Sequence, residues 1–203
     1  MPITEGASPF GRRNRTSVPL GVSPRPPFPL AAALALCALL PAGLAARAGG
    51  EGANAAQLKA AFVMNFVKFV EWPEGPRQPS APIVITVLGD REFGEALTRA
   101  AAGSRPAGRR VSVRLDAGAD DARTAHIVFI GRGEERRLAA ILRMLEDQPV
   151  LTVGDTRGFA EAGVVLNLYT FDQRVRIEVN TTAAARAQLR LSAHLLRIAR
   201  IVG

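Results

Sequence analysis

The chain has 203 residues, and its 26 lysines and arginines exceed its 18 aspartates and glutamates, which gives a formal net charge of +8. Residues 1–48 hold five of the basic residues and one acidic residue, so the remainder has 21 against 17 and a net charge of only +4. That balance gives no support for nucleic-acid binding, which needs a concentrated basic surface. The only cysteine, Cys37, lies in the early segment, so residues 49–203 exclude disulfides, thiolate metal sites and cysteine nucleophiles.

The first 48 residues follow the pattern of an export signal. An unbroken apolar run of 11 residues, 30–40, follows a segment with four arginines and precedes Pro41 and a small-residue stretch. A basic segment, a short apolar core and an A-x-A ending predict a secretory signal that is cleaved between Ala48 and Gly49. The core is far shorter than the roughly 20 residues of a membrane-spanning helix, so a retained anchor is the weaker alternative. We therefore expect a periplasmic protein.

The predicted domain organisation follows from this signal. The segment before the apolar run has five prolines between positions 19 and 29, a density that predicts disorder. Residues 49–57 are then a lead-in, and residues 58–202 form the folded domain. A remainder of about 155 residues suits a single domain with one hydrophobic core.

An amphipathic helix is predicted at residues 53–71. Its apolar face consists of residues at helical spacing, widened by three valines: Leu58, Phe62, Phe66 and Phe69, with Val63, Val67 and Val70. The helix should end at Trp72 and Pro73, because proline disfavours helical geometry in the residue before it. A role in the core is favoured for the phenylalanines over a ligand or partner surface.

The middle of the chain alternates strands with helices. Runs rich in β-branched residues, or alternating patterns, predict strands at residues 83–88, 111–115, 126–130 and 150–153. Helical periodicity predicts helices at residues 93–101 and 134–146. Strands that alternate with helices imply right-handed crossovers, so we predict an α/β fold with a mixed, mostly parallel sheet and helices on both faces.

The last third is predicted to add a β-hairpin and a C-terminal helix. Two extended runs, 164–171 and 174–179, flank Asp172 and Gln173, a spacing typical of antiparallel edge strands. An unpaired strand edge is a template for another strand, so a homodimer is one option. Residues 180–182 offer caps for a helix that runs to about position 202.

That C-terminal helix would present a basic stripe. Its four arginines fall within an arc of about 80° at 100° per residue: Arg186, Arg190, Arg197 and Arg200. The stripe is either a solvated face or a surface for an acidic partner or a lipid headgroup. Arginine forms bidentate contacts with carboxylates and is common among interface anchors, so these residues are the candidate partner surface.

Signatures of catalysis and cofactor binding are sparse. The sequence has no G-x-S-x-G, H-E-x-x-H, P-loop or G-x-G-x-x-G motif, so it predicts no catalytic residue, metal ligand or cofactor. Asp90, Gly131 and Asp155 each follow a predicted strand, where open α/β sheets bind ligands, and they form the candidate pocket. Aspartate at this position is also a common helix N-cap, so that alternative stays open. His126 and His194 are expected to be structural.

Seven segments in this order resemble the YfiR-like family of exported bacterial proteins (DUF4154), and together they extend from Leu58 to Val202. They are LKAAFVMNFVKFVEWPE, IVITVLGDREFGEAL, GRRVSVR, AHIVFIG, PVLTVGDTRGFAEAGVVLNL, RVRIEVN and LRLSAHLLRIARIV. The fold that this resemblance implies, a mixed sheet flanked by helices, agrees with the periodicities.

The resemblance implies a periplasmic, non-enzymatic regulator of c-di-GMP signalling. Such a protein represses an inner-membrane diguanylate cyclase by binding its periplasmic sensor domain, and is itself sequestered by an outer-membrane lipoprotein. Related domains also serve as sensory modules of histidine kinases, so the alternative is a small-molecule-binding sensory domain that acts with a kinase or another membrane receptor. Well-known members carry disulfide-forming cysteines, but Ala125 stands where many have cysteine, so redox control cannot operate here.

Overall fold

The structure is a computed structural model that describes residues 51–73, 81–115, 118–171 and 174–203. The predicted export signal, with its cleavage point at Ala48 and Gly49, lies outside the described residues, as does the hairpin turn at Asp172 and Gln173. No helix within these ranges has the length and apolar character that a membrane span requires.

Six α-helices and nine strands are formed by the described residues. The helices are α1 (Glu51–Phe66), α2 (Arg91–Ala101), α3 (Ala119–Thr124), α4 (Leu138–Met144), α5 (Thr181–Arg186) and α6 (Ala193–Ile198). The strands are β1 (Val70–Glu71), β2 (Ile83–Leu88), β3 (Val111–Leu115), β4 (Ile127–Ile130), β5 (Leu151–Gly154), β6 (Leu166–Phe171), β7 (Arg174–Asn180), β8 (Arg190–Leu191) and β9 (Arg200–Val202).

Seven of these strands form one mixed sheet, in the order β3-β2-β4-β5-β6-β7-β9. Neighbouring strands from β3 to β6 are parallel, β7 is antiparallel to β6, and β9 is parallel to β7. The strands β1 and β8 form a separate antiparallel pair. Every residue of β4 and β5 is buried, as expected for central strands that are covered on both faces. The predicted α/β class with a mostly parallel sheet is confirmed.

Alternate side chains of the central strands pack into two hydrophobic clusters. In the first, Phe93 of α2 stacks on Phe129 of β4, with ring centroids 3.8 Å apart, and α1 packs into the same cluster. In the second, Leu138 and Ile141 of α4 pack with Val128 of β4. Because successive residues of a strand point to opposite faces, the two clusters lie on opposite sides of the sheet.

The helix α1 is shorter than the predicted helix at residues 53–71. It ends at Phe66, and the N–H groups of Lys68 and Phe69 donate to the carbonyls of Asn65 and Phe66 at 3.0 and 2.9 Å. The chain then continues as β1, because pairing with β8 replaces the last predicted helical turn. The residues of the predicted apolar face differ in burial. The buried ones are Val63, Phe66, Val67 and Val70, whereas Phe62 and Phe69 are partly buried and Leu58 is exposed.

The prediction of one continuous C-terminal helix is wrong, because the segment forms α5, β8, α6 and β9 in turn. After α5, Gln188 adopts a left-handed conformation with φ of 56°, and the N–H of Leu189 donates to the carbonyl of Ala184 at 2.9 Å. This is the hydrogen bond that closes a Schellman motif. Ser192 then begins α6, and its Oγ accepts a hydrogen bond from the N–H of Leu195 at 3.3 Å.

Burial explains why this helix is interrupted. Leu189 and Leu195 are both buried, but a continuous helix that turns 100° per residue would place them about 120° apart. A break lets both side chains enter the core. The pairing of β8 with β1 and the hydrogen bond from the N–H of Ser192 to the carbonyl of Phe69, 2.9 Å long, hold the interrupted segment. Tertiary contacts therefore override local helix preference.

The hairpin of β6 and β7 forms as predicted, with Leu166 opposite Val179. Its outer side is covered in part, because β9 pairs with β7 over Glu178–Asn180 and places Arg200 beside Glu178, while no described strand pairs with the outer side of β7 over residues 174–177. The edge strands of the described sheet are β3 and β9. The open edge from which a homodimer was predicted is therefore shorter than expected, and the homodimer stays a prediction.

Candidate functional site

Asp90 and Gly131 lie together where the loops after β2 and β4 meet. Asp90 Oδ1 accepts a hydrogen bond from the N–H of Phe93 at 2.9 Å, which caps α2 and confirms the capping interpretation for Asp90. Asp155 caps no helix, because the next element after it is β6. A Cβ added to Gly131 would lie 2.7 Å from Asp90 Cβ, and one added to Gly133 would lie 2.6 Å from the carbonyl oxygen of Gly89. The two loops thus fill the crevice between β2 and β4 with backbone atoms.

Asp155 lines a different space, farther along the same edge of the sheet. This carboxyl-edge cleft lies at the ends of the parallel strands β4, β5 and β6 and has a volume of about 410 Å³. Its lining residues follow or end these strands, with one lysine from α1: Lys59, Arg132, Asp155, Arg157, Tyr169, Thr170 and Phe171. Asp90 and Gly131 are not among the residues that line this cleft, whereas Asp155 lines it and has three cationic side chains around it.

One of the three cations of the cleft is neutralised. Lys59 Nζ lies 2.7 Å from Asp155 Oδ2, and the side chain of Asp155 is only 8% exposed. The hydroxyl of Thr156 also donates to Asp155 Oδ1 at 3.2 Å. This ion pair joins α1 to the end of β5 and leaves the cleft with the positive charges of Arg132 and Arg157.

Aromatic groups form the outer wall of the carboxyl-edge cleft. The guanidinium of Arg157 lies over the ring of Phe171, with Cζ 5.6 Å from the ring centroid, a cation–π arrangement. Phe171 is 46% exposed, an unusual value for a large apolar side chain among the described residues. Partial desolvation raises the pKa of the Tyr169 phenol, and the hydrogen bond and negative charge of Glu178 raise it further.

A buried ionic network lies behind Tyr169. Glu178 of β7 is 1% exposed; its Oε1 accepts from Arg200 Nε at 3.0 Å, and its Oε2 accepts from Asn167 Nδ2 at 3.1 Å. Arg200 Nη2 also bonds to Glu178 and lies 2.6 Å from Glu161 Oε1. Desolvation alone would raise the pKa of Glu178, but hydrogen bonds from Arg200, Asn167 and Tyr169 outweigh it and lower the pKa.

A second cleft, of about 510 Å³, lies between β2, α3 and α4. Its walls are largely apolar, with Leu88, Ile141 and Met144 among them. Glu134 and Arg137 also line it and form an ion pair at 3.1 Å, so their charges are matched. This cleft offers less for a charged ligand than the carboxyl-edge cleft does.

The four candidate arginines lie on four different elements. Arg186 ends α5, Arg190 is in β8 and Arg197 is in α6, and all three side chains are exposed. Arg200 in β9 belongs to the network around Glu178. The predicted helical stripe is therefore wrong as a geometry, because the helix that would align the arginines does not form.

Both histidines have structural surroundings. His126 is 4% exposed, Nδ1 accepts from the N–H of Val84 at 3.2 Å, and Arg109 Nη2 lies 3.2 Å from Nε2. The ring of His194 stacks on Phe69 with centroids 5.4 Å apart. Within the ranges that the structure describes, no group of three or more histidine, cysteine, aspartate or glutamate side chains could hold a metal ion.

Two residues of the carboxyl-edge cleft that were not predicted had a signal in the sequence. Arg132 and Arg157 follow β4 and β5 within three residues, at the same strand ends that drew attention to Gly131 and Asp155. Lys59 had no such signal, because only the packing of α1 on the sheet brings it to this edge. Tyr169 and Phe171 could have been placed there from the direction of β6.

By its fold and its site, the protein is an α/β domain with a positively charged cleft at the carboxyl edge of its sheet. A family model described as YfiR/HmsC-like matches residues 56–200. The chain belongs to the YfiR/HmsC-like family, which confirms the resemblance seen in the sequence.

Two solved structures share this fold at low sequence identity. A conserved domain protein from Vibrio cholerae O1 biovar El Tor has a TM-score of 0.53 and 11% identity, over 73% of this chain and 60% of that one. The ABC domain from Streptococcus pneumonia, solved in complex with L-Trp, has a TM-score of 0.50 and 7% identity, over 72% of this chain and 60% of that one. The chain thus spans about 60% of the length of each, and the likeness concerns the fold alone.

Proposed function

We propose that the protein is an exported, periplasmic regulator that acts by docking and not by turnover. Its partner is the periplasmic domain of an inner-membrane diguanylate cyclase, whose synthesis of c-di-GMP it represses or modulates. The observation that supports this most is the family match over residues 56–200, which places the chain in a regulatory class. An outer-membrane lipoprotein is the second partner, which sequesters the regulator away from the cyclase.

The proposed docking surface is centred on Arg190 and Arg197. Both side chains are exposed and have no carboxylate partner among the described residues, whereas Arg200 is held by Glu178 and Glu161. Ile198, next to Arg197, is 56% exposed. Arginine beside an exposed apolar side chain is a common composition for the anchor of a protein interface.

A charge-reversal experiment tests this surface. The double variant Arg190→Glu and Arg197→Glu should keep its fold, because both side chains are exposed and the like charge placed opposite Glu71 of β1 costs at most about 1 kcal/mol. It should bind the cyclase periplasmic domain at least about tenfold more weakly, as expected for lost interface anchors. Surface plasmon resonance with that domain measures the affinity. The matched control is Arg99→Glu with Arg136→Glu, which makes the same charge change at exposed positions on other elements.

Two results would contradict these proposals at different levels. Equal affinities of the double variant and the wild type would remove the surface from consideration. The proposed function as a whole would be contradicted by two results together. The wild-type protein would bind no diguanylate cyclase encoded by a neighbouring gene, and deletion of its own gene would leave cellular c-di-GMP unchanged.

Export is tested by fractionation. If residues 1–48 are a cleaved signal, the periplasmic fraction should contain a chain that begins at Gly49, which mass spectrometry of the intact protein identifies. The proposal fails if the full chain, including its first 48 residues, accumulates in the cytosol.

The second candidate function is a small-molecule-binding sensory domain that acts with a histidine kinase or another membrane receptor. The carboxyl-edge cleft favours it, and the pneumococcal domain of similar fold was solved with a bound amino acid. Thermal-shift measurements across a metabolite panel distinguish the two functions. A regulator that acts only through a protein partner should give no shift with any metabolite.

A further inference from the structure

We infer that the carboxyl-edge cleft binds a small organic oxyanion, a carboxylate or a phosphate ester, through the guanidinium groups of Arg132 and Arg157. The inference concerns a ligand of this chain and does not depend on which protein partner it docks to. It rests on the charge, the position and the size of the cleft.

The cleft keeps a net positive charge after the ion pair between Lys59 and Asp155 is counted. Asp155 neutralises Lys59 at 2.7 Å and is itself almost buried, so neither group is available to a ligand without breaking that pair. Arg132 and Arg157 have no carboxylate partner within the described parts of the chain. Their planar, always charged guanidinium groups match the geometry of a carboxylate or phosphate.

The parallel strands of the sheet bring Arg132 and Arg157 to the same cleft. Arg132 follows β4 and Arg157 follows β5, and the two strands are parallel neighbours with Ile130 opposite Gly154. Residues that follow such strands meet at one edge of the sheet, which is where open α/β sheets bind ligands. The usual crevice between β2 and β4 is filled by backbone. Of the two larger clefts at this edge, the carboxyl-edge cleft is the one that holds cations without a carboxylate partner among the described residues.

The surroundings also restrain Arg157. Its guanidinium lies over the ring of Phe171, which limits the orientations of a long side chain before any ligand arrives. Restraint of this kind lowers the entropy cost of binding. A volume of about 410 Å³ lies within the range of small-molecule sites, so the cleft has room for an organic acid and not only for a bare ion.

The test uses the folded, exported form of the protein and two defined probes, inorganic phosphate and succinate. Isothermal titration and thermal shift are measured with each probe in the millimolar range. Saturable binding of phosphate with no binding of succinate assigns the site to phosphate compounds, and the reverse result assigns it to carboxylates. Either outcome supports the inference, provided that the following variants behave as expected.

The variant Arg132→Gln with Arg157→Gln should bind the preferred probe at least about tenfold more weakly, because both charge-assisted contacts with the oxyanion are lost. Both side chains are exposed, so the fold should be unaffected. The matched control, Arg99→Gln with Arg136→Gln, removes the same charge elsewhere and should bind as the wild type does. Absence of saturable binding to both probes, or equal loss in variant and control, overturns the inference. The inference is also overturned if the cleft binds only an acidic segment of the protein partner.

Discussion

Glu178 links three strands, β6, β7 and β9, at one end of the sheet. It is a buried carboxylate whose hydrogen bonds come from side chains of both neighbouring strands, Asn167 of β6 and Arg200 of β9. A buried charge that loses such partners costs several kcal/mol, so these contacts determine whether Glu178 can remain ionised. The lowered pKa of Glu178 is the signature of that arrangement.

We predict that Glu178 makes the protein less stable in acid. Because its pKa is lower in the folded chain than in the unfolded chain, its stabilising contribution is present above the ordinary pKa of 4.5 and is lost as the pH falls through the lowered value. Glu178→Gln should cost about 2 kcal/mol at neutral pH and should flatten the acid side of the stability curve. Urea unfolding across this pH range measures both effects.

Glu161→Gln is the control for this prediction. Glu161 also contacts Arg200, but its side chain is 49% exposed, and exposed ion pairs contribute at most about 1 kcal/mol. The prediction is contradicted if the two variants lose the same stability, or if the Glu178→Gln variant keeps the wild-type dependence on pH.

At the scale of elements, the C-terminal region shows how a local pattern can mislead. Residues 181–202 have good helix formers and caps, yet Gln188 in a left-handed conformation ends α5. The Schellman hydrogen bonds to the carbonyls of Ala184 and Ala185 offset part of that strain. The position requires φ near +60°, which glycine adopts without the steric cost that a Cβ brings.

Gln188→Gly should therefore stabilise the protein by about 0.5–1 kcal/mol, the gain expected when glycine replaces another residue in left-handed backbone. The matched control is Gln148→Gly, at a position without positive φ, where the added freedom of the unfolded chain should lower stability. Chemical denaturation of both variants measures the difference. Destabilisation of similar size at both positions would contradict the role assigned to Gln188.

Elements that a strong, long pattern defines were predictable, and elements that depend on distant contacts were not. The buried run of β2 and the strand β4 follow from β-branched apolar residues alone, and the prediction was confirmed. By contrast, β1 and β8 have two residues each and exist because they pair with one another across the domain. For the cleft, Asp155 could be inferred from its place after a strand, whereas Lys59 depends on how α1 packs.

At the scale of the whole molecule, β9 closes one side of the sheet. Among the described strands it pairs only with β7, through the register that joins Glu178 to Arg200 and Asn180 to Val202. An uncovered β7 would present a longer row of unpaired backbone groups to other molecules. The three residues of β9 therefore limit the pairing of β7 with the same strand of a second copy of the protein.

A chain that ends at Ala199 should self-associate more than the full chain. Loss of β9 removes both the cover of β7 and the arginine partner of Glu178, so the shortened protein should elute in part as dimers or larger species and should unfold more easily. Size-exclusion chromatography with light scattering measures the mass. The control chain lacks only Gly203 and keeps all of β9. Equal masses for both chains would contradict the protective role.

The glycine contact between the loops after β2 and β4 changes how this domain should be compared with others. In many doubly wound sheets a nucleotide or sugar sits where the strand order reverses, and superposition on such a protein would place a ligand against Gly89 and Gly131. Main-chain atoms already occupy that spot here. Transferring a ligand position by overlay would therefore place an effector on main-chain atoms, and not in the carboxyl-edge cleft at the ends of β4, β5 and β6.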